Sequence, residues 1–182
     1  MKKSVFTLLL LFTALGASAQ FHADLRVGAA ASTFGDEHLK MGFRGGVGLS
    51  YLFTKHWGLR TGLYYSNKGM TRSNNVFNYS SDKAARLSYL DLPVEAVARF
   101  GMSPRSAFEI HGGVYVACCV IDKMPSTVDY KARRIDTGVG AGFDFVVGHF
   151  IVGPEIQYGL TRLTTSGNNH NITYALTLGC RF

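Results

Sequence analysis

Three cysteines, six histidines and a set of evenly spaced charged residues are the side chains of this 182-residue chain with the widest chemical repertoire. A zinc site needs spaced Cys and His ligands. Cys118 and Cys119 are adjacent instead, and Cys180 stands far from both. Neighbours on a strand point to opposite faces, so these two pair poorly with each other, and free, buried thiols are expected. Of His22, His38, His56, His111, His149 and His170, only His111 falls on a predicted inner face, two positions from Glu109. No third ligand can be placed beside them, so a hydrogen-bonded structural histidine is expected rather than a metal site. No Gly-x-Ser-x-Gly turn presents a nucleophilic serine. The residues therefore point to no catalytic set, no metal and no cofactor.

The charged residues repay closer reading, and they require the elements that carry them. Eight stretches alternate apolar and polar residues with period two, the signature of strands. They run over 24–33, 41–53, 57–68, 89–100, 107–121, 134–147, 150–161 and 171–182. In the fourth, Leu90, Leu92, Val94, Ala96, Ala98 and Phe100 oppose Asp91, Glu95 and Arg99. In the sixth, Ile135, Val139, Ala141, Phe143 and Phe145 oppose Asp136, Gly138, Gly140, Gly142 and Asp144. Every charged residue within the eight stretches lies on the glycine-rich polar face. A soluble barrel would point its apolar face inward and charge its outer face. Here the charge-free face suits lipid, where one mid-bilayer charge would cost about 2–4 kcal/mol.

The connections agree with that reading. Long ones (71–88, 122–133, 162–170) alternate with short ones (54–56, 101–106, 148–149). Outer-membrane barrels have short periplasmic turns and longer extracellular loops, and an even strand count puts both termini on the periplasmic side. The predicted fold is thus all-β, an eight-stranded antiparallel up-and-down transmembrane barrel over 20–182. Residues 1–19 read as a cleaved secretory signal: Lys2 and Lys3 precede the apolar run Val5 to Leu15, and Ala17-Ser18-Ala19 supplies the cleavage pattern. Removing those two lysines lowers the net charge from +7 to about +5. An exported basic chain is expected to meet phosphate-rich lipid, not nucleic acid.

Period two then assigns the lumen. Arg26, Arg44, Arg60, Lys68, Arg99, Arg134 and Arg181 face inward with Asp24, Asp91, Glu95, Glu109, Asp136, Asp144 and Glu155. Unpaired buried charges are costly, so a structural network of ion pairs plugging the barrel is expected. Its principal members are Arg60, Asp91, Glu95, Arg99, Glu109, Asp144, Glu155 and Arg181. Parity around the 101–106 turn brings Arg99 to Glu109. Pro93, inward on the fourth strand, removes a ladder donor and predicts a bulge or weakened pairing. Trp57, Tyr65, Tyr158, Tyr174 and Phe182 can supply interfacial girdles. Arg72, Lys83, Arg86, Lys123, Lys131, Arg133 and Arg134 make the long connections basic, a match for lipopolysaccharide phosphates.

The segments Met41 to Leu49 and Gly62 to Gly69, with the Tyr89-Leu90-Asp91-Leu92-Pro93-Val94 motif, resemble the PorT-like outer-membrane β-barrel family of Bacteroidota. The resemblance spans the mature chain, and its motifs mark strands and turns. It implies a Gram-negative outer-membrane barrel, with some members serving a secretion system and no catalytic residues to carry over. The last strand, with Tyr174, Leu176, Leu178, Cys180 and Phe182 at alternate positions, resembles the C-terminal signal that barrel-assembly machinery reads. The favoured role is structural or interactive, as a surface adhesin or secretion-system accessory with an envelope protein partner. A narrow porin-like channel is the alternative, and a lipid A-modifying enzyme is less favoured.

Overall fold

The computed structural model describes residues 20–34, 39–71, 84–123, 134–161 and 170–182. The proposed signal segment and most of each long connection lie outside these residues. Eight strands follow in order: β1 (Gln20–Phe34), β2 (Lys40–Leu52), β3 (Trp57–Thr71), β4 (Ala84–Ser103), β5 (Ser106–Lys123), β6 (Ile135–Val147), β7 (Phe150–Gly159) and β8 (Asn171–Arg181). Each pairs antiparallel with its chain neighbours, and β8 returns to β1 from Asp24↔Arg181 to Phe34↔Asn171, closing the barrel. Closure gives the wall a partner on both sides of every strand, the condition for crossing lipid with strands.

The side chains are arranged inside out relative to a soluble protein. Large apolar residues stand exposed on the outer wall, among them Leu25, Val47, Leu63, Val94, Val114, Phe143, Ile156 and Leu176. The buried set is dominated by polar and charged residues, including Arg44 at 1% exposure and Asp91 and Asp136 at 0%. Inner glycines give the long side chains room to cross the lumen. A Cβ on Gly142 would stand 2.6 Å from His111 Cε1, and one on Gly138 would stand 2.6 Å from Tyr115 Cε1.

One end carries tight turns, each with its own chemistry. Gly148 has φ +60° and precedes His149 in the two-residue β6–β7 turn, a conformation that the strand twist favours and that glycine adopts without steric cost. Pro104-Arg105 makes the β4–β5 turn, braced by the Ser103 and Ser106 hydroxyls at 2.6 Å. Thr54 Oγ1 accepts from the His56 and Trp57 amides across the β2–β3 turn at 3.2 and 2.8 Å. The long connections leave the wall at the opposite end, the loop end.

The structure corrects several expectations. β4 begins at Ala84, not Tyr89, because Thr71↔Ala84 through Asn67↔Ser88 extend the β3 ladder into the segment expected to be a loop. A register shift falls between Ser88 and Tyr89, where Ser88↔Ile121 gives way to Tyr89↔Cys119 and Val120 becomes the extra residue. The extra residue lies on β5, so β4 keeps its alternation: Leu87 and Tyr89 pack inward with Tyr115 and Ala117, while Ser88, buried between them in sequence, accepts from the Tyr65 hydroxyl at 2.7 Å. Pro93 makes no bulge. It stays paired with Tyr115 on β5, but the β3–β4 pairing lapses between Thr61↔Val94 and Tyr64↔Asp91. The Thr61 hydroxyl donates to the Pro93 carbonyl at 2.8 Å across that gap. Arg134 sits one residue before β6 and is exposed at the loop end, not in the lumen. The cysteines are free, yet Cys118 is exposed and Cys119 and Cys180 are half-buried, so the expected burial fails.

Candidate functional site: the charged lumen

Every strand contributes an inner row of side chains, and the closed wall brings rows from distant strands together. In the middle of the lumen Asp144 (β6) is the hub. It accepts from Arg26 (β1) at 2.8 and 2.9 Å and from Arg60 (β3) at 2.8 Å. Arg26 also bonds Asp24 at 2.7 Å, and Arg60 reaches Glu95 (β4) at 2.6 Å. His111 (β5) completes the cluster, its Nδ1 2.8 Å from Arg60 Nη2 and 3.3 Å from Glu95 Oε2. The ring packs closely on this guanidinium, with Nε2 also 3.2 Å from Arg60 Nη2. All six side chains are nearly fully buried.

Toward the loop end Arg44 (β2) gathers a second cluster. It bonds Asp91 (β4), donates to Ser66 Oγ at 2.7 Å and lies 3.3 Å from Glu155 Oε1 (β7). Ser66 in turn donates to Asp91 at 2.6 Å, and Gln157 donates to Glu155 at 2.9 Å. The Arg44 guanidinium also sits over the Tyr64 ring, 4.7 Å from its centroid, a cation–π contact. Above this, Asp136 accepts from Tyr115 at 3.1 Å and from Asn171 at 3.3 Å. An apolar cluster of Leu87, Tyr89, Tyr115 and Ala117 on β4 and β5 follows at the loop end.

At the turn end Glu109 (β5) takes two arginines. Arg181 (β8) bonds both carboxylate oxygens at 2.6 and 2.9 Å, and Arg99 (β4) adds a single contact at 2.9 Å. The bidentate pair is buried, whereas the Arg99 side chain keeps 24% of its surface exposed.

The eight principal residues thus fall into three clusters rather than one. Arg60, Glu95 and Asp144 meet in the middle, Asp91 and Glu155 share Arg44, and Arg99 and Arg181 share Glu109. Arg26 and Arg44 bind these groups together although they stood outside the principal set; their inner parity was the available signal. His22 also takes an inner position, half-buried opposite Ser50, because β1 starts four residues before the predicted stretch. Tyr64 and Tyr115 fall by parity on the polar inner face, as does Ser66, but none was expected in the network, since neutral residues leave no mark in a charge pattern. The Lys68 side chain lies outside the described residues, as do the side chains of the proposed basic cluster other than Arg134.

Aromatic residues mark two outer belts. Phe21 packs on Tyr51 at 4.7 Å near the turn end, where Trp57, Phe150 and Phe182 are also exposed. Phe43 packs on Tyr65 and Tyr158 stacks on His170 nearer the loop end, with Tyr174 exposed close by. Girdles at both interfaces are characteristic of outer-membrane barrels.

Comparison with solved structures returns barrels of this kind. The Neisserial surface protein A superposes with a TM-score of 0.55 at 14% identity, over 90% of this chain and 99% of that one. OprG of Pseudomonas aeruginosa gives 0.53 at 11% identity, over 91% and 97%. Ail, the attachment invasion locus protein of Yersinia pestis, crystallised with the heparin analogue sucrose octasulfate, gives 0.52 at 16% identity, over 90% and 99%. At these identities the likeness establishes the fold. No curated protein sequence matches the chain. The family described as outer membrane protein beta-barrel domain matches residues 12–165. With a closed eight-stranded wall, a lipid-suited exterior and that match, the chain belongs to the outer membrane protein beta-barrel domain family and resides in the outer membrane.

Proposed function

We propose that this barrel is a plugged, non-conducting and non-enzymatic outer-membrane protein that acts through its loop end as a structural or interaction module. The observation that carries the reading is the hub at Asp144, which ties β1, β3 and β6 across the lumen through Arg26 and Arg60. Ion flow would have to displace buried, mutually satisfied ion pairs, whose rupture is strongly unfavourable. With the lumen filled, the surface left for partners is at the ends. The short-turn end faces the periplasm in this reading, and the long connections face outward toward lipopolysaccharide. The Tyr89 to Val94 motif supports a PorT-like placement, with an envelope protein partner in adhesion or secretion. The alternation of Tyr174, Leu176 and Leu178 on β8 supports recognition by barrel-assembly machinery during insertion.

Planar-bilayer recording tests the plug. The wild-type protein is expected to give no unitary steps, while the triple variant R60A/E95A/D144A gives them. Stable wild-type conductance with ion selectivity would replace this reading with the narrow channel.

A further inference from the structure

The mouth of the lumen at the turn end is a separate feature. A cavity of about 500 Å³ opens there between the β4–β5 and β6–β7 turns, lined in part by Arg99, Arg105, Ser106, Val146 and His149. Ala107 and Val146 line its apolar part and pack with Ile151 behind them. Its rim is tied together. The Gly148 amide donates to the Arg105 carbonyl at 2.6 Å, and His149 Nδ1 donates to the Arg181 carbonyl at 2.8 Å. Two turns cross-linked in this way hold the lining residues in place without a ligand.

The charge of this mouth is unbalanced. Arg99 and Arg181 share the single carboxylate of Glu109, and Arg181 already takes both of its oxygens. Arg105 adds an exposed guanidinium to the rim, and no acid lines the cavity among the described residues. Arg99 uses one nitrogen on Glu109, lines the cavity and keeps 24% of its side-chain surface exposed. Two guanidiniums on one preformed pocket match an oxyanion that accepts several charge-assisted bonds, which is the chemistry of phosphate. The outer face of the same strand ends is apolar: Phe100, Met102, Val147 and Phe150 are 50%, 58%, 59% and 75% exposed. Acyl chains would lie against these residues while a headgroup reached the mouth.

We propose that the turn-end mouth binds a phosphate group through Arg99 and Arg105, carried by an anionic phospholipid or present as the free ion. The site is distinct from the loop end and does not depend on whether the lumen conducts.

The test uses the folded barrel in phosphatidylcholine nanodiscs, following the arginine side-chain Nε–Hε NMR signals. Inorganic phosphate is titrated in one arm, phosphatidylglycerol replaces part of the lipid in another, and sodium chloride at equal ionic strength is the control. The Arg99 and Arg105 signals are expected to move saturably with phosphatidylglycerol, and R105Q to weaken that response about tenfold, as loss of one charge-assisted contact implies. Saturable movement with inorganic phosphate but not with phosphatidylglycerol would assign the small ion as ligand. Movement matched by sodium chloride, no saturable movement in either arm, or a response unchanged in R105Q would overturn the site. Arg105 lies on an exposed turn, and the backbone spectrum of R105Q reports directly whether the barrel is intact.

Discussion

The middle of the lumen and its turn-end mouth use the same residue types under different conditions. In the middle, Asp144 serves Arg26 and Arg60, and every partner is sealed from solvent. At the mouth, Glu109 likewise serves two arginines, but only Arg181 is sealed while Arg99 touches solvent. A carboxylate between two guanidiniums is therefore an indispensable joint in one place and a partly redundant one in the other. Desolvation makes the difference: removing one member of a buried pair strands its partner in low dielectric, whereas an exposed partner is rehydrated.

The largest effect is expected from D144A, which leaves Arg26 and Arg60 short of their shared acceptor and should destabilise the barrel by about 3–5 kcal/mol. Urea unfolding in detergent, read by the heat-dependent gel shift, measures it. Less than about 1 kcal/mol would place the mid-lumen pair with ordinary surface pairs and erase the contrast. R181A should cost about 1.5–3 kcal/mol, because Glu109 loses its bidentate partner and keeps one contact to Arg99. Equal losses for R181A and D144A in the same assay would mean that solvent does not reach the mouth.

G142V sharpens the comparison from the side of packing. A Cβ at position 142 would meet His111 Cε1 and the Pro154 carbonyl oxygen, each at 2.6 Å, so a loss of about 1–3 kcal/mol is expected from overpacking. An unaltered unfolding midpoint would show that the His111 layer has slack. R99A is expected to be the mildest, about 0.2–1 kcal/mol, since its side chain is partly exposed and Arg181 still satisfies Glu109. A loss as large as that of R181A would show that the two arginines act as one unit.

Legibility in the sequence followed the range of each interaction. Arg99 could be matched to Glu109 from the chain alone because a short turn joins their strands, and Arg99↔Glu109 is a direct register pair. Arg26 and Asp144 stand 118 positions apart, and no local pattern connects them. The shift beside Val120 was equally hidden, since one extra residue in a ladder leaves little compositional trace while reversing the faces beyond it. Pro93 was legible in kind: its missing donor interrupts one ladder, as its chemistry requires, while the neighbouring ladder to β5 runs through it in register without a bulge.

The sequence alone determined the strand count, the closed antiparallel class and, outside the shifted segment beside Val120, which residues face lipid, because period two assigns faces residue by residue and a lipid-facing charge is too costly to tolerate. Only the tertiary structure decided which acid meets which arginine across the lumen. That choice depends on how eight strands are staggered when the wall closes, a property of the whole ring that no segment of the chain carries by itself.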